Sequence, residues 1–294
     1  MAPILLTGQR GYLGACIASE LTRRRIRFTG LPGRLEDVAP GSLRAGIVIH
    51  TAGALRHRTG EADGSNRLGT EALLAGLAAP TPVIFVSSRS VYAPRDGDAP
   101  LRETDQVGPV DSYGLSKWQA ERRLVTSGHP FVIVRATTLI GLGVDNVGRS
   151  FLSMAARTLV GGGAVTLFAP DRVHDHLDVR TLACALVRVA MKPALIDGGI
   201  FNVAGPVRGL HETMSVLTQT VREQCLATPE LHLCSGPPAR TPPMSSDAFM
   251  RRYGPLDHPS DANLFQQLVE FLVKRLQEQS FRKLDNAGEM RRRE

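Results

Sequence analysis

Apolar residues come in short, evenly spaced runs along the first two thirds of the chain. Ile4-Leu5-Leu6 opens it, and Ala15 to Arg24 then carries its apolar positions at helical spacing. Arg25 to Leu31 alternates as a strand does, Ala45 to His50 is a further apolar run, and Glu61 to Ala78 reads as a helix. Pro82 to Val86 and Phe131 to Arg135 are continuous apolar stretches of strand length, the pattern of parallel strands covered on both faces. A helix follows Asp111, and farther on come a strand at Val165 to Phe168, a helix at Arg180 to Ala190 and a strand from Gly199. Strands alternating with helices predict an α/β fold, a Rossmann-type doubly wound parallel sheet.

Only Pro32 to Ala45 separates the second and third strands. Parallel strands need a crossover of roughly a dozen residues, so this stretch holds one short connection and no extra strand with its helix. The sheet is expected to be trimmed at that edge. Farther on, Thr241-Pro242-Pro243 and Asp257-His258-Pro259 punctuate a small C-terminal lobe that ends in an amphipathic helix from Asn263 to Gln277. The nucleotide domain is expected over residues 1–165, with a returning segment at about 172–205. A small α/β substrate-binding lobe is expected from about 140–172 and 206–280. Residues 281–294, charged and without apolar periodicity, are expected to be disordered.

Composition adds bounds to this picture. With 294 residues, 43% of them hydrophobic, the chain can bury a sizeable core. The formal charge of +7 is dispersed apart from Arg23-Arg24-Arg25 and Arg291-Arg292-Arg293, with little aromatic interleaving, which points to anionic small ligands and not to nucleic acid. Four cysteines without C-x-x-C spacing predict neither disulfides nor a metal site. A strand begins within three residues of the start and no apolar run approaches the ~18 residues of a membrane span, so a cytoplasmic protein is expected.

The first chemical signal is Gly8-Gln9-Arg10-Gly11-Tyr12-Leu13-Gly14, three glycines in G-x-x-G-x-x-G spacing between a strand and a helix. Glycine permits the sharp turn and the close backbone approach, and N–H groups at the helix start attract phosphate, so a pyrophosphate-binding turn is expected here, an ordinary strand-to-helix turn being the alternative. Downstream come His50-Thr51-Ala52-Gly53, then Asn66-Arg67-Leu68-Gly69-Thr70, then Ser87-Ser88-Arg89-Ser90-Val91-Tyr92 at the C-terminal end of a strand. Tyr113-Gly114-Leu115-Ser116-Lys117 follows, and Arg135 to Gly141 has R-x-x-x-x-x-G spacing. Asp175 to Val179 and Gly199 to Gly205 complete the set.

In order and spacing these motifs resemble the extended short-chain dehydrogenase/reductases, the NAD(P)-dependent nucleotide-sugar epimerase/dehydratase family, over about residues 4–275. The resemblance implies a catalytic set of Ser88, Tyr113 and Lys117. It also implies a dinucleotide held by Gly8, Arg10, Gly11, Tyr12, Leu13, Gly14, Arg34, Thr51, Ala52, Gly53 and Asn66, with Tyr113 and Lys117. Candidate substrate contacts are Ser88, Arg89, Asn146, Arg149, Arg172 and His174. A homodimer paired through Gly64 to Ala78 and Ser112 to Thr126 is a further implication.

Tyr113 and Lys117 share one helix face. The ammonium and an oxidised nicotinamide would both favour the phenolate, so Tyr113 would move a proton at the substrate oxygen while hydride is exchanged with the nicotinamide. Ser88 would hold that oxygen. About 20 positions beyond the glycine turn the chain meets the adenine ribose; counting from Gly14, this is Arg34. Pro32 replaces the acid of NAD-dependent members, and with Arg10 in the turn NADP(H) is favoured over NAD(H), although Glu36 and Asp37 follow at once.

Departures narrow the reaction. Dehydratases of the family carry Asp-Glu after the Ser/Thr, where this chain has Arg89-Ser90, so dehydration is disfavoured. The cysteine of GDP-fucose synthases is missing, so epimerisation at C3 and C5 is unsupported. What remains is hydride transfer at C4 of a nucleotide-activated sugar, as a 4-epimerase or a 4-ketoreductase. The arginine that often binds the diphosphate is replaced by His174, leaving Arg172 or Arg149 as substitutes. That departure keeps open a reductase of a non-sugar ketone. A catalytically silent dinucleotide sensor is a third possibility, against which Ser88, Tyr113 and Lys117 are all present.

Overall fold

The computed structural model describes residues 3–31, 33–53, 65–95, 97, 99–225, 228–235 and 242–291. The strands that build the site are β1 (Ile4–Thr7), β2 (Phe28–Gly30), β3 (Ile47–His50), β4 (Val83–Ser88) and β5 (Phe131–Ala136). The helices are α1 (Tyr12–Arg23), α2 (Ser65–Gly76), α3 (Ser112–Val125), α4 (Phe151–Val160), α5 (Val179–Ala190), α6 (Leu210–Cys225), α7 (Asp247–Tyr253) and α8 (Asp261–Arg291). Residues 61–64, expected to begin the second helix, lie outside the described residues.

The chain divides into two compact units. The first comprises Met1–Leu139, His174–Val207 and Arg240–His258. It holds a six-stranded sheet in the order β2-β1-β3-β4-β5 followed by the strand Gly199–Val203, with every neighbouring pair parallel. This is the α/β, Rossmann-type doubly wound parallel sheet expected from the sequence, and β2 is its edge. Residues 33–46 contain only a short 3₁₀ turn at Leu35–Asp37 and an isolated bridge at Leu43, as the short crossover required.

Alternation along each strand explains the layering. Ile4, Leu6, Ile47, Ile49, Ile84, Val86, Val132 and Val134 point to one face and pack with α1 and α5. Leu5, Val48, Val83, Phe85 and Ile133 point to the other and pack with residues of α2 and α3. Residues two apart share a sheet face, so continuous apolar runs supply both layers.

The segment 242–258 departs from the expected boundaries. It belongs to the first unit, because α7 carries the buried Phe249 and Tyr253 into the same core as α5. No apolar run of strand length marks this return in the sequence, and Thr241 lies outside the described residues.

The second unit comprises Ile140–Val173, Arg208–Ala239 and Pro259–Glu294. Leu152, Ala156 and Leu159 of α4, Met214, Leu217 and Val221 of α6, and Phe265, Leu268 and Leu272 of α8 form its core, beside the parallel strand pair Ala164–Phe168 and Glu230–Cys234. The last helix continues to Arg291, where residues from 281 onward were expected to be disordered. Lys, Arg, Glu, Leu and Met are good helix formers and no proline interrupts them, so helix persists past the last apolar-periodic position. Residues 292–294 lie outside the described residues. Among the described residues no helix is long and apolar enough to cross a membrane.

Candidate active site

The glycine turn joins β1 to α1 with little room to spare. Gly8 has φ of 75°, in the left-handed region, and a Cβ on it would sit 2.8 Å from both the Ala52 nitrogen and Thr51 Oγ1. A Cβ on Gly14 would fall on the Gly8 carbonyl oxygen, so helix and turn touch backbone to backbone. Gly11 is the N-cap of α1 and donates its N–H to the Gly8 carbonyl at 2.8 Å; the first turn, with Tyr12 and Leu13, contains no acid. The N-terminal end of α1 is thus positive and uncountered by carboxylate, which fits a pyrophosphate. Arg10 is exposed beside it.

Thr51 closes the turn from the β3 side, its Oγ1 donating to the Thr7 carbonyl at 2.7 Å. The Ala52 N–H donates to Thr7 Oγ1 at 3.3 Å, and Gly53 follows, lying against Asn66 of α2. Arg34 is exposed, with a loose ion pair to Glu36 at 4.0 Å, so its guanidinium is not sequestered within the protein. Pro32, which entered the cofactor argument, lies outside the described residues.

Strand β4 delivers Ser88 at its end, and Asp111 caps α3 by accepting from the Gly114 N–H at 2.6 Å. That cap places Tyr113 in the first turn of α3, near enough to Ser88 for that side chain to act on the ionisation of its hydroxyl, while Ser88 Oγ accepts from the Ser90 N–H at 3.2 Å. Lys117, one turn on, is buried; its Nζ donates to the Val86 carbonyl at 2.9 Å and stands 5.0 Å over the Phe85 ring. Asn66 donates from Nδ2 to Ser116 Oγ at 2.9 Å. The structure therefore brings Ser88, Tyr113, Lys117 and Asn66 together at the C-terminal ends of β3 and β4.

Charge in the site follows from burial. The Lys117 ammonium is pulled down to about 8 by desolvation, with Glu121 opposing. The Tyr113 phenol is raised above its ordinary value, again by desolvation, with the Ser88 bond opposing and Asp111 adding to the rise. The sequence-based expectation that the phenolate is favoured needs a nearby cation that the chain alone does not bring to bear; in the protein by itself Tyr113 is a protonated acid at neutral pH.

Arg89, a candidate substrate contact, is engaged inside the first unit. Its Nη1 donates to Asp175 Oδ1 at 2.6 Å and its Nη2 to the Pro242 carbonyl, while Asp175 Oδ2 accepts from the Met244 N–H at 2.8 Å. His174 faces His176, the two Nδ1 atoms 2.7 Å apart. Arg172, Arg149 and Asn146 belong to the second unit, Arg149 and Asn146 exposed and Arg172 half-buried. Among the described residues no three His, Cys, Asp or Glu side chains gather as a metal site.

Sequence reasoning missed His50, Thr7, Thr70 and Ser116, a buried polar set beneath the site. His50 was visible as the first residue of the H-x-A-G quartet, and a histidine ending an otherwise apolar strand is a signal in itself. It also missed Asp175 as the partner of Arg89, which no spacing rule links across so many residues.

A family model described as the NAD dependent epimerase/dehydratase family matches residues 4–204. A dTDP-4-dehydrorhamnose reductase from Mycolicibacterium smegmatis is 25% identical over 67% of this chain, which spans 61% of that relative's length. Among solved structures, RMD from Pseudomonas aeruginosa complexed with NADPH aligns with a TM-score of 0.79 at 22% identity, over 94% of this chain and 100% of that one. UDP-glucose 4-epimerase with UDP-glucose from Thermotoga maritima aligns with a TM-score of 0.77 at 18% identity, over 93% and 99%. These structures share the fold, and the family match covers the whole glycine turn, the Ser88 strand and the Tyr113 helix. The chain belongs to the NAD dependent epimerase/dehydratase family.

Proposed function

We propose that this protein transfers hydride at C4 of a nucleotide-activated sugar with a nicotinamide dinucleotide, either epimerising that carbon or reducing a 4-keto sugar. The observation that carries this reading is the placement of Ser88 at the end of β4 beside Tyr113, with Lys117 buried one helical turn on and its Nζ held by the Val86 carbonyl of that strand. Two neighbouring hydroxyls at the end of a parallel strand can form a donor pair for one substrate oxygen, at the edge where open α/β sheets keep their ligands.

The bound nicotinamide supplies or accepts the hydride. The chain's own residues do the rest. The first turn of α1 receives the pyrophosphate, Gly8, Gly11 and Gly14 allow its approach, and Thr51, Ala52 and Gly53 border the dinucleotide. Lys117 holds the nicotinamide ribose, and Arg10 and Arg34 favour a 2′-phosphate, hence NADP(H). Ser88 holds the C4 oxygen against Tyr113. A protonated Tyr113 can deliver a proton to a ketone oxygen as hydride reaches the carbon, and its phenolate can take one from a hydroxyl in the reverse direction.

Arg89-Ser90 offers no carboxylate pair to eliminate water, and Arg89 is held by Asp175, which supports hydride-only chemistry over dehydration. Arg172 or Arg149, both of the second unit, is the proposed substitute for the diphosphate-binding arginine, with Asn146 a further candidate substrate contact there and His174 a candidate in the first unit. Pairing through α2 and α3, which expose Leu68 and Val125, would make a homodimer. Incubating the protein with a panel of nucleotide sugars and 4-keto nucleotide sugars, while following nicotinamide absorbance and sugar stereochemistry together, tests the function. Absorbance change or inversion confined to C4 supports it; reaction only with simple non-sugar ketones would replace it.

A further inference from the structure

His50 has no assigned role, yet it sits at 1% exposure at the end of β3, between Thr7 of β1 and Thr70 of α2. Burial and the nearby Lys117 charge hold its imidazole down to about 3, so it is neutral. Its two nitrogens face two threonines: Nδ1 lies 2.7 Å from Thr7 Oγ1 and Nε2 lies 3.1 Å from Thr70 Oγ1.

The neighbours decide which nitrogen carries the proton. Thr70 Oγ1 donates its one hydrogen to the Asn66 carbonyl at 2.8 Å, so toward His50 it can only accept, and Nε2 must be the N–H. Nδ1 is then an acceptor. Thr7 Oγ1 accepts from the Ala52 N–H, which leaves its own hydrogen for His50 Nδ1. Beyond Asn66 the direction is kept, since Asn66 Nδ2 donates to Ser116 Oγ, which donates to the Tyr113 carbonyl at 2.8 Å. This tautomer satisfies the ring N–H and both threonine hydroxyl hydrogens, whereas the other strands the Thr7 hydrogen and competes for that of Thr70.

We infer that His50 is a positioning residue: as the neutral Nε2–H tautomer it ties the loop Thr51–Gly53, through Thr7 and Thr70, to the Asn66–Ser116 contact that seats Tyr113. The inference rests on Tyr113 being the proton donor, and it adds a device that sets where Tyr113 stands relative to the dinucleotide loop. Because the links are buried and mutually oriented, loss of one disturbs the rest. Small misplacement of a reacting group costs rate more than binding.

The test combines histidine-selective ¹⁵N labelling with turnover, His50→Gln serving to assign the His50 signal. Imidazole nitrogen spectra are expected to show His50 as Nε2–H, unchanged from pH 8 to 5, and Thr70→Val is expected to speed exchange of that N–H. In the same variant kcat should fall roughly tenfold while the NADPH Kd stays within about twofold. An Nδ1–H tautomer, titration of His50 within that pH range, or an unaltered kcat in Thr70→Val would overturn the inference. Should no nucleotide sugar be turned over by the wild type, the functional proposal fails by itself. The tautomer and the Thr70→Val exchange rate still judge the His50 relay without any turnover.

Discussion

Arg89 and Asp175 meet at 2.6 Å inside the first unit, so the side chain that directly follows Ser88 is held by the protein. Both are largely buried, at 15% and 3% side-chain exposure, and the second oxygen of Asp175 holds the Met244 N–H. Removing the cation alone leaves a buried carboxylate without its partner, which costs about 3 kcal/mol. Arg89→Met is therefore expected to lower the unfolding free energy by about that amount in urea titrations, with Arg89→Met/Asp175→Asn recovering part of it. Equal midpoints for wild type and Arg89→Met would show that the pair does not anchor this segment.

The sheet was legible because its strands are buried on both faces: Val83 to Val86 or Val132 to Val134 have no other simple explanation. The glycine turn and the Tyr113/Lys117 pair were legible because a turn and a helix face are local. What was not legible depends on contacts distant in sequence. Asp175 meets Arg89 only once the sheet is assembled, and the return of 242–258 to the first unit depends on Phe249 and Tyr253 finding the α5 side of the core. The ionisation of Tyr113 in the chain by itself was not legible for a related reason, because desolvation, which a helix face does not reveal, raises its phenol above the ordinary value.

His50 imposes a pH dependence on stability. In the unfolded chain it takes up a proton near pH 6.5, but the folded protein refuses it until about pH 3. The unfolded state binds more protons between those values, so stability falls as pH drops through the window, by about 1.4 kcal/mol per pH unit, and is unaffected above it. Urea unfolding at pH 7.5, 6 and 5 should show a steeper loss for wild type than for the non-titrating His50→Gln. Parallel losses would contradict a buried neutral imidazole.

Lys117 is expected to make dinucleotide binding pH-sensitive. Its ammonium, depressed to about 8 by burial, loses its proton above that value in the free protein. Fluorescence titrations of NADPH from pH 6.5 to 9.5 should show affinity weakening above about pH 8, with Lys117→Met weaker throughout and flat across the range. A wild-type profile as flat as that of the variant would remove Lys117 from the ribose contact.

Arg34 is expected to discriminate between the two cofactors. Its exposed guanidinium is free to meet a 2′-phosphate, so NADPH should bind more tightly than NADH, and Arg34→Ala should weaken NADPH by roughly tenfold with NADH nearly unchanged. Tighter NADH binding in the wild type, or equal losses for both cofactors, would contradict the assignment.

The central claim is that Tyr113 moves the proton while hydride is exchanged at C4, and Tyr113→Phe tests it most directly, since only the hydroxyl is removed. Single-turnover oxidation of bound NADPH by a 4-keto nucleotide sugar should slow by at least ~10²-fold in that variant, with the NADPH Kd within about twofold of wild type. Single-turnover rates for Tyr113→Phe equal to those of the wild type would contradict the account.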